Sequence, residues 1–588
     1  MYFYEDDVVV TPTRFPKPLS QVAENITVVT AQQIEMMNAH TLSDVVNIVV
    51  GAGHDTLTFP GGTFFASIQG SKYEHVRIIM DGVTMNNLVE GWAYAGEIPV
   101  QNISRIEIIK GPASSSWGSS LGGVINIITK SGGPAKLDGL VTTSLGERRT
   151  TDTRAEFSGS AGKFSYYATG GNLGSNGRGP KTWLQDNNLY LKLGYELTER
   201  LSLQFSSWYI RTEAFDLKYF PPDLRQHYNV ETVFFTLSGT YRIGNTSELN
   251  LSLREKRHHT FNAYRSLGEL TDSGPAGNHE RTDGASLKIS SKAGIHTITA
   301  GADYDHGYDE SRGAADPQFV RQKFTQSAVY LNDTIALGRL TITPGVRYDS
   351  LRNQDLLDPS LGITVRLSER TLLRFFAARG FNIAALGTAF SRVGFTGNPD
   401  LKSERIRSFE AGVETSEVKY FRIKGSLFSH RITDAFEYSL LPDGNYTYVN
   451  KSRVKRDGFE IEVRTVPIHK FSFSAGVCMV KARDQVTGEK LLGTVAETYD
   501  LGILYDDNKS FTAVLKGRLI RWDMDKQIYG GKYAFVSDLS LTKKVFSRDK
   551  SSIDIFVTGH NLSNASQYMF SDWKNPGRWI EGGIRYKF

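Results

Sequence analysis

The chain has 588 residues, enough for roughly three or four soluble domains, but a formal charge of only +5 and no Lys/Arg-rich block give little basis for nucleic-acid binding. A mean hydropathy of −0.31 and the lack of any apolar run of about 18 residues exclude transmembrane helices. They leave open a β-barrel, whose strands cross a bilayer with only about 9–11 alternating residues, and 11% aromatics with 56 glycines suit short strands, interfacial girdles and tight turns. The single cysteine, Cys478, excludes an intramolecular disulfide and disfavours a Cys-built metal site.

The opening residues, Met1 to Asp7, have neither the basic stretch nor the apolar core of a signal peptide, so an exported chain would have lost or exchanged one. Glu5 to Arg14 is acidic, then β-branched, then broken by Pro12. It cannot build a core alone, but it can add as a strand to another protein's sheet edge. Read in isolation, it fits a frayed terminus equally well.

Ile26 to Thr30 reads as a strand, and Thr30 as the N-cap of a helix. Leu42, Val45, Val46 and Val49 fall at helical spacing, which predicts a second helix closed by Gly51. Ser67 to Gly70 and Val76 to Val83 predict two strands, the second ending in an Asp-Gly turn. In Asn102 to Lys130, an alternating segment meets Gly111-Pro112, crosses a bend with five serines and three glycines, and enters a second apolar run, Val124 to Ile128. This predicts strand, tight connection, strand; the bend lacks a GxxxxGK[ST] phosphate loop.

After Ala135 the texture changes. Leu189, Leu191, Leu193, Tyr195 and Leu197 alternate with Tyr190, Lys192, Gly194 and Glu196, and the pattern returns at Leu201, Leu249, Val329, Leu340 and Ile580. Period 2 with one apolar face predicts barrel strands. Glu199-Arg200, Gly244 to Ser247 and Gly338-Arg339 are tight turns, whereas Gly174–Asp186, His306–Phe324, Gly380–Asp400 and Trp522–Tyr533 read as long loops. One short-looped rim and one long-looped rim describe an outer-membrane barrel, and the length after residue 134 allows about 22 strands of roughly 20 residues with their connections. A lumen of that size calls for a plug. The expected division is an extended segment at 1–15, an α+β plug at 16–134 and a barrel at 135–588. Phe588, ending the final alternating segment, fits a last strand that closes on the first.

These residues resemble a TonB-dependent outer-membrane receptor over the whole chain. Asp7, Val8, Val9, Val10 and Thr11 resemble the TonB box. Met80-Asp-Gly-Val, Ile106 to Pro112 and Gly122 to Thr129 resemble the plug signature. Gly397 to Glu404, Gly458-Phe-Glu and Asn561 to Phe588 resemble that of the barrel. The resemblance implies a plugged 22-stranded barrel, a monomer in outer-membrane lipid, that imports a scarce nutrient when TonB pulls on the box. No cofactor is required.

Similar receptors lock plug to barrel with two arginines facing two glutamates. The matching positions are Gln69 and Lys110 on the plug and Glu410 and Glu460 on the barrel, so the forked pairing of arginine is lost at both. The stretch beside the box, Arg14 to Pro18, is most similar to the vitamin B12 receptor type, which implies a corrinoid cargo; a ferric siderophore is the alternative. That type holds calcium with loop aspartates, and Asp186 and Asp216 align with part of such a set, short of the six to eight oxygens calcium takes. No histidine occurs between Arg379 and Gly397, which disfavours haem.

The expected cargo contacts are the plug apices, with Phe59, Phe64 and Phe65 on one and Asn86, Asn87, Trp92 and Tyr94 on the other, where aromatic faces and amides suit a large flat ligand. No HExxH or spaced His/Ser pair suggests an enzyme. A purely adhesive barrel would need neither plug nor box.

Overall fold

The computed structural model describes residues 8–56, 64–177, 183–219, 224–266, 272–313, 316–351, 354–389, 391, 395–523, 533–565 and 577–588. Asp7 and Phe59 lie outside the described residues, as do the side chains of Phe64 and Asp216.

Twenty-two antiparallel strands, from Asp138–Gly146 to Trp579–Lys587, form a closed barrel. Closure pairs the first of these with the last, from Leu140 opposite Lys587 to Gly146 opposite Glu581. No sheet edge is left to pair with a neighbour. Along the strand Trp183–Glu196 the alternation has its expected meaning: Leu189 is exposed, while Tyr190 and Lys192 point into a filled lumen and are buried. Leu203, Leu237, Leu251, Leu287, Val329 and Leu331 extend the exposed apolar surface around the barrel. In water such a belt would be an aggregation surface; in lipid it is the stable arrangement.

The predicted tight turns fall where expected, between Glu196 and Leu201, Ile243 and Ser247, and Leu337 and Leu340. The loop expected at His306–Phe324 is largely strand, because the flanking strands run to Gly313 and resume at Asp316. From His306 to Ser311 the strand carries polar residues on both faces, so the apolar alternation disappears while ladder bonding continues. The expected helix through Val49 is also shorter, spanning Leu42–Val46.

The plug is a five-stranded sheet in the order Asn25–Thr30, Ile103–Lys110, Gly123–Thr129, Val76–Met80, Val83–Thr84. Thr30 caps the helix Ala31–Met36 through a reciprocal pair with Gln33. The two strands of the Asn102–Lys130 stretch are antiparallel neighbours, with Lys110 opposite Gly123. The hydrophobic core does not stop at the plug surface. Leu42, Ile78, Ile106 and Ile125 share one buried cluster with Tyr190, Trp208 and Phe234 of the barrel wall.

Candidate functional site

The N-terminal segment is docked inside the lumen. Val8–Val9 pairs with Lys17–Pro18, and Val9 is buried. Beyond it, the carboxylate of Glu107 accepts hydrogen bonds from the amides of Val10 at 2.9 Å and Thr11 at 2.8 Å and from Thr11 Oγ1 at 2.5 Å. Asn126 donates to Thr11 Oγ1, and the Trp117 indole donates to the Thr11 carbonyl. Arg14 then crosses to the wall, 2.7 Å from Asp303, with its guanidinium over Trp117 and Tyr330. The expected loose handle is stowed because its backbone groups find partners in the plug sheet, a fit that local composition does not reveal.

A second contact joins plug to barrel. Lys110, fully buried, lies 2.8 Å from Glu460 and 3.2 Å from Glu462. Burial pulls its ammonium down, but the two carboxylates outweigh this and hold it above its ordinary value. Gln69 donates to Glu460 at 3.1 Å and accepts from His430 at 3.0 Å, while Asn25 donates to Glu460 at 2.9 Å. Glu410 stands apart from Lys110 in this network, with Ser408 as its hydroxyl donor at 3.5 Å and Gly111 against its carboxylate. The structure therefore brings together Gln69, Lys110 and Glu460 and leaves Glu410 beside them.

At the plug apex, Phe65 packs between Tyr73 (5.0 Å) and Trp92 (5.2 Å), and Tyr94 continues the cluster toward Tyr228 and His258 of the wall. The rings of Phe65, Trp92 and Tyr94 are each half-buried. The two asparagines build the loop instead of offering their amides. Asn86 bonds the backbone of Val76, Ile78 and Gly91, and Asn87 bonds the amides of Glu90 and Gly91. Two wall residues that sequence reasoning missed clamp the loop from outside: Glu280 accepts from the amides of Leu88 and Val89, and Lys256 donates to the Asn86 carbonyl. Below it, Glu97 accepts from Tyr228 at 2.7 Å, and burial pushes its carboxyl up to about 8.

Residues 18–124 match the TonB-dependent receptor plug domain, and residues 132–587 match the TonB-dependent receptor-like β-barrel. The chain belongs to the TonB-dependent receptors. The receptor is 26% identical over 493 residues to the vitamin B12 transporter BtuB of Vibrio vulnificus strain YJ016, covering 78% of this chain and 75% of that one. It is 28% identical over 460 residues to the same-named protein of strain CMCP6, covering 73% and 70%. Among solved structures, the ferric enterobactin receptor PfeA of Pseudomonas aeruginosa superposes with a TM-score of 0.80 at 16% identity, covering 97% of this chain and 99% of that one. The FrpB iron transporter of Neisseria meningitidis gives 0.79 at 16%, covering 96% and 99%. At these identities the structural likeness establishes the fold alone.

Asp186 of the receptor sits on a barrel strand, almost fully buried, and joins no group of three metal-ligating side chains among the described residues. The one such group lies elsewhere, at His40, His560 and Glu581. Its members are up to 541 positions apart, so no spacing in the sequence could announce it.

Proposed function

We propose that this receptor imports a corrinoid, taking it at the aromatic floor of the plug and admitting it when TonB draws out the Val8–Thr11 segment. The observation that carries the reading is the partly exposed cluster of Phe65, Tyr73, Trp92 and Tyr94, a stacking surface for a broad, flat ligand edged by hydrogen-bonding groups. The similarity to vitamin B12 transporters over about three quarters of the chain supports the same cargo class.

The coupling step follows from how the segment is held. An outer membrane has no nucleotide or ion gradient of its own, so work has to arrive mechanically through a peptide handle. Val8–Thr11 has the β-branched character for strand addition, and leaving Glu107 frees its backbone donors for a partner strand.

Two measurements test this. Deleting residues 5–13 is expected to abolish energised uptake and spare surface binding; unchanged uptake would sink the coupling reading. Quenching of the seven tryptophans by cobalamins, cobinamide and iron-loaded siderophores tests the cargo. Saturation by corrinoids alone supports the proposal, and saturation by a siderophore with flat corrinoid titrations overturns it.

A further inference from the structure

A cluster far from both the apex and the stowed segment has the makings of a metal centre. His40 belongs to the plug and directly precedes Thr41, the N-cap of helix Leu42–Val46. Its Nε2 lies 2.9 Å from Glu581 Oε1 on the last barrel strand, and the Nε2 of His560, at the end of the preceding strand, lies 3.0 Å from the same oxygen. All three ligand atoms fall within 4.8 Å of one another. In a tetrahedral zinc site with bonds of about 2.0–2.1 Å, ligand atoms stand about 3.3 Å apart. The two nitrogen–oxygen spacings need to open by only a few tenths of an ångström to admit the ion, and the two imidazole nitrogens already lie within 4.8 Å of each other.

The surroundings are also those of a ligand set. His40 Nδ1 meets Asp152 Oδ2 at 2.5 Å, so a carboxylate orients the imidazole and directs Nε2 at Glu581. Asp152 is itself held by Arg154, which also donates to the Ala39 carbonyl at 3.0 Å. The second oxygen of Glu581 accepts from Ser144 at 3.0 Å, on the first barrel strand. His560 is fixed by the Trp579 indole, stacked at 3.9 Å and 9°. Every group that would touch the ion is thus oriented by a partner that would not.

We propose that His40, His560 and Glu581 bind one zinc-class divalent cation, which fastens the plug to the seam where the barrel closes. Two imidazoles and a carboxylate suit zinc over magnesium or calcium, which prefer all-oxygen shells. Three protein ligands leave the fourth position to water, so the ion exchanges. A cavity of about 550 Å³ between plug and wall, lined by His40, Asp152 and Arg154 at one side and by Asn508 to Ser510 at another, adjoins the His40 side of the cluster. This proposal is independent of the cargo. It concerns how the plug is seated, and it stands or falls without reference to what is imported.

The test uses the full chain in detergent, stripped with a chelator and dialysed against zinc chloride, with metal counted by mass spectrometry. One zinc per chain is expected. H560Q is expected to lower affinity at least tenfold, and D152N by about 10–100-fold through loss of orientation. H279Q, which alters the separate His259–His279 ring pair at 4.6 Å, is expected to change nothing. Cobalt chloride in place of zinc is expected to give visible ligand-field absorption in wild type that H560Q abolishes.

Because H40Q risks unseating the plug, H560Q carries the test, with heat-modifiable gel mobility confirming an intact barrel. No bound zinc in the wild type overturns the proposal and leaves a metal-free His40 imidazolium between two carboxylates. Zinc that survives in H560Q but is lost in H279Q equally overturns it.

Discussion

The carboxylate of Glu107 and the hydroxyl of Thr11 lie 2.5 Å apart across 96 positions of sequence, and the same oxygen also accepts the amides of Val10 and Thr11. One side chain in the middle of the plug sheet therefore satisfies three donors of the segment TonB is expected to seize. E107A leaves the two Thr11 donors buried without this acceptor, at about 1–3 kcal/mol each. The expected outcome is a stowed segment that opens at least tenfold more often. A V10C variant labelled by a membrane-impermeant maleimide from the periplasmic side reads this directly, since Cys478 is buried and contributes little background. Equal labelling rates with and without Glu107 would refute the latch.

Lys110 offers a sharper energetic expectation. Its ammonium is enclosed with Glu460 and Glu462, and removing one member of a buried ion pair costs about 3–5 kcal/mol because the remaining charges lose their compensation. K110M is therefore expected to lower the urea midpoint for plug unfolding substantially, measured by tryptophan fluorescence, while the barrel stays folded. The double variant K110M/E460M is expected to recover part of the loss. A K110M plug as stable as wild type would show that Gln69 and Asn25 hold Glu460 unaided.

Much of this was legible in the chain. Period 2 after Ala135 reads out the barrel because lipid and lumen impose opposite polarity on successive residues, as at Leu189 and Tyr190. Where that contrast vanishes, reading fails: His306–Phe324 looks like a loop because its residues do not alternate apolar with polar, although its backbone pairs from His306 opposite Thr325 to Ser311 opposite Val320. Lys110 and Glu460 could be matched through a family resemblance. Glu280 and Lys256, which clamp the apex, and His40, His560 and Glu581, which meet at the seam, could not. Such contacts are fixed by which wall strand faces which plug loop, and nothing local in either segment encodes that.

Glu97 predicts a pH dependence. Burial, reinforced by the nearby Glu90, raises its carboxyl from an ordinary 4.5 to about 8, against the hydrogen bond from Tyr228; Tyr94 and Asp186 also face it. A raised carboxyl favours the folded state only while protonated. Its opposition to seating is absent below pH 4.5, grows between 4.5 and about 8, and is constant above. Plug stability is expected to fall by an amount on the order of a few kcal/mol across that window. E97Q is expected to flatten this fall and to be the more stable protein at pH 8.5. A pH profile for E97Q that parallels wild type would assign the dependence elsewhere.

Barrel closure supplies a prediction with its own control one residue away. Gly583 and Gly582 sit side by side on the last strand and face opposite sides of the sheet. A Cβ on Gly583 would lie 2.4 Å from the Thr143 carbonyl oxygen of the first strand and 2.3 Å from the Phe556 ring. On Gly582 the nearest atom would be 3.6 Å away, an ordinary contact. The ring can swing, but the carbonyl belongs to the closing ladder, where Thr143 stands opposite Ile584. G583A must therefore spread the first and last strands at the point where the sheet becomes continuous, at about 1–3 kcal/mol for overpacking. The expected result is a lower temperature for loss of the folded, fast-migrating gel band in G583A and no change in G582A. If both variants melt together with wild type, the seam tolerates a methyl group there and the close approach of the two strands does not limit barrel stability.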